Sequence, residues 1–203
     1  MQWHFQNLKM AAMREEGLEE VLDKVLASFN LPADVEWLLD GLHDFAWRDP
    51  RYLTIYDLLH ERYPNNSLIP FCKAVISHTR YPEISVDAFV KTLLILHQAD
   101  EDYALIRKCY ESIAIHCKQL DRSDQAIAAC TLALSYFDSG TDVFQHAIHT
   151  GLHVRATVYL EQARPELAKK DVDFYLEHFP QDECYQELKS RILSEMHEEQ
   201  SDL

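Results

Sequence analysis

The sequence predicts an all-α protein built from antiparallel helical hairpins. Apolar residues recur at spacings of three and four, as in Leu18, Val21, Leu22, Val25 and Leu26, which is the pattern of an amphipathic helix. No stretch alternates apolar and polar residues between turn residues, as a half-buried strand would. The 203 residues include only 4 glycines and 7 prolines, too few for the many tight turns of a sheet protein.

Helix-breaking residues divide the chain into about ten predicted helices. Proline disfavours helical geometry in the residue before it and has no amide hydrogen, so a helix is expected to end before Pro64. Asp49 is expected to cap a helix that begins with Pro50, and Ser85 and Ser123 predict two further helix starts. The predicted helices lie near residues 6–29, 33–47, 50–63, 67–79, 85–98, 101–119, 123–137, 142–162, 165–179 and 182–199.

These helices are expected to form one domain over residues 1–203. Residues 1–48 would be N-terminal helices that could form a capping element, 49–182 would be hairpin repeats, and 183–203 a C-terminal helix with an acidic tail. Connections of about 2 to 6 residues make neighbouring helices antiparallel. A series of such hairpins either stacks as a solenoid or closes into a bundle, and internal repetition distinguishes the two.

One spacing pattern occurs twice in the second half of the chain. In the later copy the patterned residues are Leu152, Ala156, Tyr159, Ala168, Val172 and Pro180. In the earlier copy they are Tyr110, Ile113, Ala114, Cys117, Ala126, Cys130 and Ala133. In each copy the second helix carries an alanine twelve residues after the alanine of the first. A small side chain lets two antiparallel backbones approach closely, so these alanines are expected where the helices of a hairpin cross.

The pattern resembles the tetratricopeptide repeat, a helical hairpin with small residues at fixed positions and a closing proline. The resemblance covers residues 107–182 and is fainter over 67–100. Three features depart from the family pattern: Arg155 stands where the family usually has leucine, Cys117 stands where it has tyrosine, and Ala126 and Ala168 are 42 residues apart. The usual repeat length is about 34 residues. The resemblance implies hairpins stacked as a short right-handed solenoid.

The same resemblance implies a non-enzymatic protein that binds a segment of another protein in a groove, as an adaptor or chaperone-like binder. The first helix of each repeat lines the groove in that family, so the expected partner-binding residues are Tyr103, Arg107, His149, His153 and Arg155. Arg155 replaces an apolar residue, and its planar guanidinium could hold a carboxylate of the partner through two hydrogen bonds.

The charge of the chain restricts its partners. Asp and Glu number 34 against 19 Lys and Arg, for a formal net charge of −15. Such a surface repels nucleic acid and anionic membranes and attracts basic partners. A basic protein or peptide segment is therefore a candidate partner. An acidic inhibitor or immunity-type protein that masks a basic partner is an alternative function.

We expect a cytoplasmic protein. The N-terminal residues lack the apolar run of a secretory signal, and no segment approaches the roughly 20 apolar residues of a membrane span. The five cysteines include no C-x-x-C pair, which fits a reducing compartment. The oligomeric state stays open, a homo-oligomer included.

No catalytic residue, metal ligand or cofactor is assigned. The sequence has no phosphate-binding glycine motif, no H-E-x-x-H and no G-x-S-x-G. A helical metal-dependent hydrolase is the alternative from another class, because His146, His149 and His153 share one helix face. The adjacent pair His43 and Asp44 is a weaker indication of the same chemistry.

Overall fold

A computed structural model describes residues 7–8, 10–12, 14, 17–27, 39, 42, 50–99, 103–136 and 144–201 of the chain. The described residues are helical with short connections and contain no strand, which confirms the all-α prediction. The helices are α1 (Leu18–Leu26), α2 (Leu53–Arg62), α3 (Leu68–Ser77), α4 (Pro82–Ala99), α5 (Tyr103–Gln119), α6 (Ser123–Ser135), α7 (Phe144–Glu161), α8 (Pro165–His178) and α9 (Glu183–Ser201). None of these helices is both long and apolar enough to cross a membrane.

The chain divides into two compact units, residues 1–101 and 102–203. In each unit, helices that are adjacent in sequence pack against each other, as expected for hairpins. The single domain over 1–203, the solenoid and the tetratricopeptide relationship stay predictions.

The first unit has its core between α1, α2 and α3. Tyr56, Leu59 and Ile69 are almost completely buried there. The hairpin of α3 and α4 is joined by a buried hydrogen bond in which the Ser85 hydroxyl donates to the carbonyl oxygen of Ala74, at 2.9 Å. Ser85 therefore satisfies a polar group inside the hairpin.

Two predicted helix boundaries in the first unit are wrong. The helix predicted over 6–29 is interrupted at Gly17, whose φ of 66° lies in the left-handed region that a continuing helix cannot contain. The helix predicted to begin at Ser85 begins at Pro82, because proline suits the first turn, where its missing amide hydrogen costs nothing. Of the helix predicted over 33–47 only residues 39 and 42, both helical, are described, and the predicted cap Asp49 lies outside the described residues.

The second unit is a run of hairpins from α5 to α9. Each helix packs against the next, and α5 also packs against α7, so the first helices of the two predicted repeats are neighbours. The alanines predicted at the helix crossings are all buried: Ala114, Ala126, Ala156 and Ala168. Cys117 and Cys130 are buried beside them, as expected for small core side chains. Burial raises the pKa of the Cys130 thiol to about 12, so that residue stays protonated at neutral pH.

Gly151 extends this close packing to the contact between α6 and α7. A Cβ atom added at Gly151 would lie 3.4 Å from the Leu134 side chain. The added Cβ atom would be in ordinary van der Waals contact with Leu134, so α6 and α7 lie close together at this position.

The alanine crossings predict a specific sensitivity to size. Ala126→Leu is expected to destabilise the protein by about 1–3 kcal/mol, because the added atoms have no space in the fully buried site. Ala128→Leu in the same helix is the matched control: Ala128 is exposed, so its change should stay within about 0.5 kcal/mol. Urea unfolding of the two variants measures the difference. Equal stabilities would show that α6 does not pack through Ala126.

Candidate functional site

Three tyrosines of the second unit form a stacked series at the start of α5, which we call the tyrosine ladder (Tyr103, Tyr136 and Tyr110). Tyr103 is the first residue of α5, and Tyr110 lies seven residues later on the same face. Tyr136, just beyond the end of α6, lies between them with ring centroids 6.0 Å from each. Tyr103 is 58% exposed and the other two are half-buried. The ladder therefore presents an aromatic surface to solvent.

Charged and apolar side chains lie on the same helix faces as the ladder tyrosines. Arg107 lies on the same face of α5, between the two tyrosines of that helix, and donates to the carboxylate of Glu111 at 3.3 Å. Burial raises the pKa of Glu111, and the charge of Arg107 opposes that shift. Leu132, 44% exposed, lies one turn before Tyr136 on α6. Two of the predicted partner-binding residues, Tyr103 and Arg107, therefore lie on one helix face, and the Arg107 side chain is 16% exposed there.

The predicted histidines form a second cluster on α7. His149 and His153 are one turn apart with parallel rings whose centroids are 5.9 Å from each other. The ring of His149 also meets Tyr175 and Tyr185 edge to face, at 5.5 and 5.2 Å. Burial lowers the pKa of His153, and the neighbouring His149 lowers it further. His146, the third histidine of the predicted cluster, has a side chain outside the described residues.

Two tyrosines, one from α8 and one from α9, pack against the rings of the histidine cluster. Tyr175 and Tyr185 are completely buried and stacked, with centroids 3.7 Å apart. The Tyr185 hydroxyl donates to the backbone carbonyl of His149 at 2.7 Å, and the Tyr175 hydroxyl donates to Asp182 at 2.9 Å. Burial strongly raises the pKa of Tyr185, so this hydroxyl keeps its proton and remains a donor. The stack therefore joins α8 to the start of α9, and the Tyr185 hydrogen bond joins the start of α9 to α7.

Arg155 binds a carboxylate through two hydrogen bonds, and that carboxylate belongs to the same chain. Its Nε and Nη2 atoms donate to the two oxygens of Asp171 on α8, at 2.8 and 2.7 Å. Its Nη1 atom donates to the Thr131 hydroxyl on α6, at 3.0 Å. Both charged side chains are largely buried. The guanidinium therefore links three helices. The two hydrogen bonds that we expected it to make with a carboxylate of a partner are made with Asp171 of the same unit.

A cavity of about 400 Å³ in the first unit was not indicated by the sequence pattern. It is lined by residues of α2, α3 and α4, among which Lys73 lies 2.6 Å from the Asp57 carboxylate and Lys91 lies 3.9 Å from it. Burial lowers the pKa of His60 in its wall, and Lys91 contributes in the same direction. Asp57 and Lys73 are 16 residues apart on different helices, so no local spacing could have identified the pair.

No protein-family model matches the chain, and neither the curated proteins nor the solved structures that were compared with it contain a significant match.

The Arg155 linkage predicts a large loss of stability on truncation. Arg155→Ala should destabilise the protein by about 3 kcal/mol, because the Asp171 carboxylate would remain buried without its cation. Arg191→Ala is the matched control, since its ion pair with Glu195 is exposed and should contribute less than about 0.5 kcal/mol. Denaturant unfolding compares them. A small effect at Arg155 would exclude this linkage, and replacing Arg155 and Asp171 together should recover part of the loss.

His153 predicts how stability depends on pH. Its pKa in the folded state lies below the value of about 6.5 for an unfolded chain. As the pH falls through about 6.5 the unfolded state therefore takes up the proton first, and stability decreases. His153→Gln should make the decrease between pH 7.5 and 5.5 shallower, as measured by urea unfolding at both values. The pKa of His60 is lowered as well, so the stability of the His153→Gln variant should still decrease somewhat as the pH falls. Identical slopes in wild type and variant would contradict the burial of a neutral His153.

Proposed function

We propose that this protein is a non-enzymatic interaction module that binds a basic segment of another protein at the tyrosine ladder. The observation that supports this is a stacked series of tyrosines, with Tyr103 exposed at the start of a helix that belongs to the predicted groove. Tyr103 is more than half exposed although it is large and partly apolar. Tyrosine is enriched at protein-binding surfaces because its ring is apolar and its hydroxyl is polar.

Acidic residues that adjoin the ladder in the sequence favour a partner with lysine or arginine side chains. In the sequence, Tyr103 directly follows Asp100, Glu101 and Asp102, and Asp138 lies two residues after Tyr136. Tyrosine ring faces attract cations, and desolvation strengthens that attraction. The net charge of −15 adds a long-range attraction for a basic segment.

The partner segment should also carry apolar side chains. Leu132 and the ladder together expose apolar surface that a purely charged segment would leave in contact with water. A segment with alternating basic and apolar residues would satisfy both requirements. The adaptor or chaperone-like role that the repeat resemblance implies, and the cytoplasmic location expected from the sequence, are part of the same proposal.

An acidic inhibitor that masks a basic protein is a second candidate, and the net charge of the chain favours it. The two candidates differ in salt dependence. Masking would depend on long-range charge, so its association rate should fall steeply with ionic strength. Binding that buries apolar side chains on the ladder should keep most of its affinity in high salt.

Selection from random displayed peptides tests the proposal directly. Wild-type protein is the bait, and Tyr103→Ala protein serves for counter-selection. The enriched peptides should combine Lys or Arg with apolar residues. A synthetic copy of the most enriched peptide should then bind Tyr103→Ala about tenfold more weakly than wild type in fluorescence anisotropy, since a central aromatic residue carries much of the energy of an interface.

Leu94→Ala provides the matched control for this experiment. Leu94 is 59% exposed, close to the 58% of Tyr103, but it lies on α4 in the first unit. Its replacement should leave the affinity for the peptide unchanged. Equal loss in both variants, or no peptide enriched over the counter-selection, would refute binding at the ladder.

A further inference from the structure

Three potential metal ligands of different chemistry converge beside the histidine cluster. The side chains of His149, Asp182 and Cys184 place one donor atom each within 4.8 Å of one another. His149 comes from α7, whereas Asp182 and Cys184 flank the first residue of α9. The convergence is therefore a product of the tertiary fold.

The distances are close to those of a coordinated ion. Ligand atoms of a tetrahedral zinc ion are about 3.3–3.8 Å apart when the metal–ligand distances are about 2.0–2.3 Å. The Nε2 atom of His149 already lies 4.0 Å from the Oδ2 atom of Asp182. Cys184 is exposed, so its side chain can rotate toward the other two without disturbing the core. Movements of about 1 Å would complete the site.

Hydrogen bonds orient the Asp182 carboxylate, and aromatic packing orients the His149 ring. Asp182 accepts a hydrogen bond at each oxygen, from the Tyr175 hydroxyl at 2.9 Å and from the backbone N–H of Tyr185 at 3.2 Å. Each carboxylate oxygen has two lone pairs, so Oδ2 keeps one for a metal. The ring of His149 is packed against Tyr175, Tyr185 and His153. Hydrogen bonds to a ligating carboxylate, like those that Asp182 accepts, commonly support metal sites.

We infer that His149, Asp182 and Cys184 bind a zinc ion. An imidazole nitrogen, a carboxylate oxygen and a thiolate sulfur are the three donor types that Zn²⁺ takes in proteins, whereas Mg²⁺ and Ca²⁺ prefer oxygen alone. Binding displaces the proton of the Cys184 thiol and leaves the fourth tetrahedral position to water. The ion would join α7 to the start of α9, beside the stacked tyrosines.

Titration of the untagged full chain with zinc chloride after chelator treatment tests this site. We expect one Zn²⁺ per chain by calorimetry. Replacing zinc by Co²⁺ should give the charge-transfer absorption of a cobalt–thiolate bond. Both Cys184→Ala and His149→Gln should weaken zinc binding by more than about tenfold, and the cobalt–thiolate band should disappear in Cys184→Ala. Bound zinc should raise the melting temperature of wild type and leave that of Cys184→Ala unchanged.

Two variants of the first unit are the controls: Cys72→Ala and His97→Gln should both keep wild-type zinc affinity. Asp182 is left in place because it also accepts the Tyr185 N–H at the start of α9, so its removal would disturb that helix. Wild-type affinity in both Cys184→Ala and His149→Gln would show surface binding only and overturn the site. Absence of a stoichiometric zinc ion in wild type would overturn it as well.

Discussion

The second unit depends on how closely its antiparallel helices approach one another. Ala114, Ala126, Ala156 and Ala168 are buried, and Gly151 gives α6 and α7 the same close approach. Larger residues at the four alanine positions would separate the backbones and open voids that neighbouring side chains could not fill. With the helices this close, side chains from three different helices can meet. The Arg155 linkage and the stacked tyrosines both require that approach.

Close packing also determines where polar groups become available. Arg155 is largely buried, Asp171 compensates its charge inside the unit, and the Thr131 hydroxyl accepts a further hydrogen bond from it. His149 lies on the same helix but is part-exposed, and its ring packs against Tyr175 and Tyr185. Helix α7 thus carries the structural cation Arg155 on one side and the imidazoles of His149 and His153 on another. The tyrosine ladder lies at the start of α5, where the hairpin ends and aromatic rings reach solvent.

Much of the fold could be predicted because helix periodicity and proline breaks are local signals. The start of α6 follows from Ser123, and the burial of the four alanines follows from their spacing. The break at Gly17 was missed because glycine is tolerated within helices, and only its positive φ shows the interruption.

The candidate site was less predictable than the fold. The partner of Arg155 is 16 residues away, and Asp182 and Cys184 join His149 from a different helix, so no periodicity relates them. The tyrosine ladder could be predicted only in part. Tyr103 was expected from its place in the predicted groove, whereas its stacking on Tyr136 was not.

Binding of a basic, partly apolar segment at the tyrosine ladder is the central functional proposal. Its most direct test is a nuclear magnetic resonance titration of the ¹⁵N-labelled chain with a synthetic peptide of alternating lysine and leucine, at moderate salt. We expect saturable shifts concentrated at residues 103–111 and 132–136, with the rest of the second unit little changed. Saturable shifts centred on the exposed Val90 and Leu94 of α4, or no saturable shift at all, would contradict it.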